Sequence, residues 1–262
     1  MARSGFWRML RILDAIPVWL LALMVMGLLF LCLETGYRLS HRKPGLGDVS
    51  ALQASVLGLV ALLLAFSFSM AEARYSLRRA LVVKEANAIG TLYLRIGFLP
   101  EPSRGEMRAW LRRYTDLRLE GHEALGNPAL FATKLQESES LQDELWARLE
   151  ALAPRVETPV LILVTQAMND VFDVSDERVA AAHNLIPTSI FILLLVGMLG
   201  SGVLLGYRPE ARLRGLLSWS LFVVILTAVM FTLLDLDLPT RGRIRVDQGP
   251  LRSLQEQLRI RP

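Results

Sequence analysis

The feature that most constrains this chain is a run of residues that starts apolar and never supplies a helix stop. From Ala51 to Met70 there is no ionisable side chain. At about 1.5 Å per residue such a run crosses a hydrocarbon core. Beyond it, Glu72-Ala-Arg-Tyr-Ser-Leu-Arg-Arg contains no Gly, no Pro and no turn chemistry, so nothing ends the helix. Tyr75, Val82, Ala86, Ile89, Tyr93 and Ile96 then recur at three- and four-residue steps, one seam of a helix. The expectation is a single rod over 51–99, lipid-embedded at its start and water-facing after it.

Three further apolar runs complete a four-span pattern: Ile16–Leu33, Ile186–Leu205 with Pro187 in its first turn, and Leu216–Leu234. Proline is harmless there because its missing N–H would lack a helical partner anyway. The hydrophobic fraction of 53% exceeds that of an ordinary soluble domain. Residues 1–15 set Arg3, Arg8 and Arg11 against Phe6, Trp7, Leu10 and Ile12. No small-residue cleavage pattern follows, so the first run reads as a signal anchor rather than a cleaved signal peptide. Glu34–Asp48 reads as a polar connection, with Pro44-Gly45-Leu-Gly47 marking a turn.

Between the second and third spans the pattern is that of an antiparallel helical bundle. Ser103 and Glu106 suggest a capping box for a helix striped by Met107, Trp110, Tyr114, Leu117 and Gly121. Asn127-Pro128 opens a helix carrying Leu141, Leu145, Leu149 and Leu152. Thr158-Pro159 opens the last one, with the seam Leu161, Val164, Met168 and Val171. No strand alternation appears. The organisation is therefore all-α: 1–70 for the basic start and two spans, 71–185 for the bundle, 186–234 for two spans, and 235–262 for a tail. Leu251, Leu254 and Leu258 predict a short amphipathic helix in that tail.

Four spans put both termini and the bundle on one side. That side carries Arg3, Arg8, Arg11, Arg74, Arg78, Arg79, Lys84, Arg178, Arg241, Arg243 and Arg245. The other carries Arg38, Arg42, Lys43, Arg208, Arg212 and Arg214. The bias favours cytoplasmic termini. A net charge of +4 suits anionic lipid and is too small and dispersed for nucleic acid. One cysteine, Cys32, excludes an intramolecular disulfide, and His41, His122 and His183 lack metal-ligand spacing. Neither a nucleophilic triad context nor a phosphate-binding Gly loop is present, so the chain does not read as an enzyme.

Four stretches together carry a resemblance: Leu64-Ala-Phe-Ser-Phe-Ser69, Glu85-Ala-Asn-Ala-Ile-Gly-Thr91, Glu177-Arg-Val-Ala-Ala-Ala182 and Asp235-Leu-Asp-Leu-Pro-Thr-Arg-Gly-Arg-Ile-Arg-Val246. In order and over nearly the whole chain, they resemble the bestrophin-like family of bacterial membrane proteins, named for distant similarity to bestrophin channels. That resemblance implies a homopentameric ion channel in the inner membrane, with cytosolic termini and a helical cytosolic domain. It implies a pore lined by the second span, where Leu62, Phe66 and Met70 would form an apolar neck able to gate by dewetting. The same residues also read as lipid-facing or packing positions. Ala54, Gly58, Ala61, Ala65 and Ser69 form a neighbouring small face that admits close helix approach.

The charged candidates have two readings each. Arg74, Arg78, Arg79 and Lys84 follow the second span; Asp170, Asp173, Asp176 and Glu177 precede the third. Antiparallel helices would bring Arg78 and Arg79 near Glu177, and Lys84 near Asp170 and Asp173. Such pairs fix helix register or line a charged vestibule for small ions; a divalent cation among the acids is a weaker option without loop geometry. Glu85 and Asn87 read as polar groups of the bundle core needing partners, Arg178 being a candidate for Glu85. Asp235 and Asp237 stand at a helix C-terminus, unfavourably against the helix dipole, and so call for a compensating partner such as Arg241, Arg243 or an arginine of the bundle. The resemblance makes them a partial match to a calcium clasp, the one cofactor suggested. The leading functional expectation is an oligomeric pore, anions slightly favoured. Its rival is a non-conducting membrane scaffold or sensor whose bundle binds a cytoplasmic protein.

Overall fold

A computed structural model describes residues 17–42, 49–207, 212–238 and 244–260. The basic start, the turn at 43–48, Arg208, Pro239, Arg241 and Arg243 lie outside the described residues. Eight α-helices are described: α1 Val18–Arg42, α2 Ser50–Ile96, α3 Ser103–Glu123, α4 Pro128–Leu152, α5 Thr158–His183, α6 Thr188–Gly206, α7 Arg212–Asp237 and α8 Gly249–Ile260. Among the described residues there is no strand. Four stretches are long and apolar enough to cross a membrane: Val18–Arg42, Ser50–Ile96, Thr158–Gly206 and Leu217–Asp237, with mean hydropathy between 2.2 and 2.3.

The 47-residue α2 bears out the uninterrupted rod. α1 runs further than expected. Glu34–Arg42 is helical rather than a polar connection, and Arg38 Nε bridges Glu34 Oε1 at 2.8 Å one turn earlier. Polarity alone does not stop a helix; the first breaker in the sequence is Pro44.

The chain divides into two compact units. The first holds α1, the opening of α2, α6 and α7. In it α1 packs on α6 and α7, and the contact is close enough to require glycine. A Cβ on Gly36 would stand 2.1 Å from the Val203 carbonyl oxygen, and one on Gly206 2.1 Å from that of Leu33. Small residues let spanning helices bring their backbones together. The small face at Ala54, Gly58, Ala61, Ala65 and Ser69 is exposed within the chain; the close backbone contact inside this unit is at Gly36 and Gly206. Tyr37 meets Trp219 edge-on at 5.9 Å, joining α1 to α7.

The second unit holds the rest of α2 with α3, α4, α5 and α8. Its core takes Val82, Ile89, Tyr93 and Ile96 from α2, Met107, Leu111 and Tyr114 from α3, Leu145 and Leu149 from α4, and Val164, Met168 and Val171 from α5. Leu251, Leu254 and Leu258 of α8 enter the same core, so the bundle has five helices where the periodicity indicated four. Burying a leucine contributes about 1.5–3 kcal/mol, which makes α8 part of the fold. Arg112 Nε donates to the Leu258 carbonyl at 2.8 Å, and Gln255 Nε2 to Asp116 Oδ1 at 2.5 Å.

Asn127 caps α4 as expected, its Oδ1 accepting from Leu130 N at 3.2 Å. The Ser103–Glu106 capping box does not form. Pro102 occupies the N-cap position without a side-chain cap, and Glu101 takes over. Its carboxylate accepts from Arg104 Nε at 2.7 Å and Gly105 N at 3.2 Å, and these bonds, Arg104 first, hold its pKa below the ordinary carboxylate value.

Candidate functional site

The apolar opening of α2 has two distinct faces. Val60, Leu64, Ser67 and Ala71 are buried. Leu62 and Phe66 are 53% and 62% exposed, and Met70 is partly so. Their four-residue spacing puts all three on one side of the helix, turned away from the chain's own packing face. An exposed apolar row in a spanning segment can face lipid, another copy or the neck of a pore.

Beyond the span, α2 carries the charges that the sequence singled out. Arg78 is buried at 7% exposure, whereas Arg79 is exposed and Arg74 half-buried. Lys84 Nζ donates to both oxygens of Glu177, at 2.7 and 2.8 Å. It was expected opposite Asp170 and Asp173, with Glu177 facing Arg78 and Arg79. The register differs because Glu85 and Arg178, the next residue on each helix, are paired in the core. One antiparallel register cannot place 85 opposite 178 and 84 opposite 170, levels about two turns apart. Asp170 and Asp173 lie exposed on α5.

The Glu85 network is the most buried charge cluster described. Glu85 is 0% exposed. Its carboxylate accepts from Arg118 Nε at 2.6 Å and from Arg178 Nη1. Arg178 Nη2 continues to Gln248 Oε1 at 3.1 Å, and Gln248 Nε2 donates to the Val246 carbonyl at 3.0 Å. One acid thus ties α2 to α3 and α5, and through Arg178 to the segment before α8. Burial, the largest single influence, lowers the Arg118 pKa, but the Glu85 charge and hydrogen bond together with the charges of Tyr114 and Asp176 outweigh it and raise the value. Sequence reasoning found Arg178 and missed Arg118, which lies among several arginines on the α3 surface pattern. Asn87, expected in this polar core, is exposed; it lies two residues from Glu85, about 200° around the helix.

One turn after Arg118, His122 is half-buried. Burial first, and then the charges of Arg178, Arg245 and Arg252, lower its pKa to about 4, against a small opposing effect from Asp247.

In the first unit, Asp235 and Asp237 are buried at 3% and 1% exposure. Asp237 accepts from Ile186 N through both oxygens, at 3.0 and 3.1 Å, and Asp235 Oδ2 accepts from Ile244 N at 3.0 Å. Backbone N–H groups near the start of α6 and after α7 are thus among the partners that stabilise these carboxylates. Among the described residues no group of three or more His, Cys, Asp or Glu is placed to hold a metal ion.

This architecture has known counterparts. The chain is similar to a bacterial bestrophin homologue from Klebsiella pneumoniae, with 14% identity, a TM-score of 0.65 and coverage of 90% of this chain and 94% of that one. A point variant of that homologue matches equally, covering 92% and 96%. A structure described as a membrane protein matches with a TM-score of 0.69 at 11% identity, over 90% and 95%. No curated protein matches the sequence. A sequence profile for the bestrophin-like domain matches residues 20–251, and the chain therefore belongs to the bestrophin-like family.

Proposed function

We propose that this protein is an oligomeric ion channel of the bacterial inner membrane, with its termini and helical bundle cytoplasmic. The reading takes the pentamer as its symmetric assembly, the resemblance's default. The observation that carries it is the two-faced opening of α2: one face packed, the other presenting Leu62, Phe66 and Met70 in a row. Around a symmetry axis these side chains form an apolar constriction that admits ions when wetted and blocks them when dry. Arg74 and Arg79 tilt the bundle-side surface of α2 slightly toward anions.

Flux through the purified protein in liposomes tests this, with wild type beside Phe66→Ala. The channel reading expects wild-type flux and a raised or altered flux in the variant. A folded, reconstituted protein that conducts nothing supports the rival instead, a membrane scaffold or sensor whose bundle binds a protein partner.

A further inference from the structure

Lys84, paired with Glu177, is the first charge on α2 beyond the span that lies in line with Phe66. Helix arithmetic at 100° per residue places Lys84 about five full turns beyond Phe66, on the same line. From Ala73 onward the other α2 residues within about 60° of that line are Ala73, Leu77, Ala80, Leu81, Asn87, Ala88 and Thr91, all uncharged, and then Arg95, whose Nη1 donates to the Leu163 carbonyl at 2.9 Å. Lys84 and Glu177 are 54% and 48% exposed at the side chain, so both charges are accessible to water and to ions. The ammonium holds both carboxylate oxygens at 2.7 and 2.8 Å, so the two charges cancel at short range.

On the channel reading above, we propose that this pair sets the charge selectivity of the conducting path. Intact, it adds neither sign, and the path discriminates weakly. Without Lys84, each copy presents a carboxylate, and the ring they form attracts cations and repels anions. Without Glu177, each copy presents an ammonium, and the preference reverses. Several like charges around one narrow path act together, and their effect shrinks as salt screens them.

The test uses the full-length protein in liposomes under a potassium chloride gradient. Reversal potentials are compared for wild type, Lys84→Gln, Glu177→Gln and the double variant. Expected is a several-fold rise in the potassium-to-chloride permeability ratio for Lys84→Gln, a several-fold fall for Glu177→Gln, and near wild-type selectivity for the double variant. Glu120→Gln breaks another exposed pair, with Arg113 and Lys134, and leaves the ratio unchanged. Because an exposed pair contributes little to folding, the variants retain wild-type elution and helicity. A conducting wild type whose ratio moves in neither variant, or in the same direction in both, overturns this proposal and leaves the channel standing. A wild type that does not conduct overturns the channel reading and this proposal with it.

Discussion

Replacing Glu85 with alanine removes one side chain and leaves two guanidinium groups facing each other in the bundle. Arg118 and Arg178 are only 11% and 16% exposed at the side chain, so water screens neither well. Breaking a buried pair from one side costs about 3–5 kcal/mol, and two stranded cations put Glu85→Ala at the upper end. For a chain of this size each kcal/mol shifts the melting temperature by about 2–4 °C, so the expected loss is roughly 10 °C or more. Melting in detergent is followed by tryptophan fluorescence, since Trp110 and Trp146 both sit in the bundle. Hydrogen exchange over 249–260 should rise as well, because Arg178 holds Gln248 just before α8. The triple variant Glu85→Leu, Arg118→Met, Arg178→Met removes every member of the charge cluster and should melt closer to wild type than Glu85→Ala does. A Glu85→Ala protein melting within about 2 °C of wild type would show that the buried-pair cost is absent and that Glu85 does not hold the two guanidinium groups together.

Three other perturbations are informative. His122 has a folded pKa of about 4, below its ordinary 6.5, so the unfolded chain binds its proton first. Its contribution is present above pH 6.5 and is lost as pH falls toward 4. After discounting for solvent screening it amounts to about 1–2 kcal/mol, seen as a shallower loss of stability on acidification in His122→Gln than in wild type. Gly206→Ala drives a methyl into the Leu33 carbonyl and should cost about 1–3 kcal/mol in detergent melts, whereas Gly27→Ala, with nothing within 4 Å, should be near neutral. Leu251→Ala empties a fully buried position and should cost about 2–5 kcal/mol, with α8 becoming the first segment cut in limited proteolysis.

What was legible in the sequence follows from what leaves a periodic trace. The α2 rod, the Asn127 cap and the seams of α3, α4 and α5 are written in local spacing, and the structure buries most of the residues those spacings mark, leaving Gly121, Leu141 and Leu161 partly buried. The terminal helix was legible as Leu251, Leu254 and Leu258; its place in the bundle core was not, because amphipathic spacing does not name the surface it covers. Glu85–Arg178 could be inferred because a buried acid needs a partner. Arg118 could not, because α3 carries arginines at 104, 108, 112, 113 and 118 and spacing does not rank them. The Lys84 partner lies one to two turns from the expected Asp173 and Asp170 because register between distant helices is set by packing, here by the Glu85–Arg178 pair beside it. Gly36 and Gly206 gave no sign of their contact, since one glycine in a helix looks like another until its neighbour is known.

Whether the exposed row on the opening of α2 lines an ion path is decided by a single cysteine at Phe66, in a Cys32→Ser background that removes the one native thiol. Current is recorded from the purified Phe66→Cys protein in a planar bilayer while a charged thiol reagent is added. A path lined by this row gives a current that changes sharply on modification and is unaffected by the same reagent in the Cys32→Ser parent. A current indifferent to modification, with labelling confirmed by mass, would contradict that lining, as would the absence of any current from the folded parent protein.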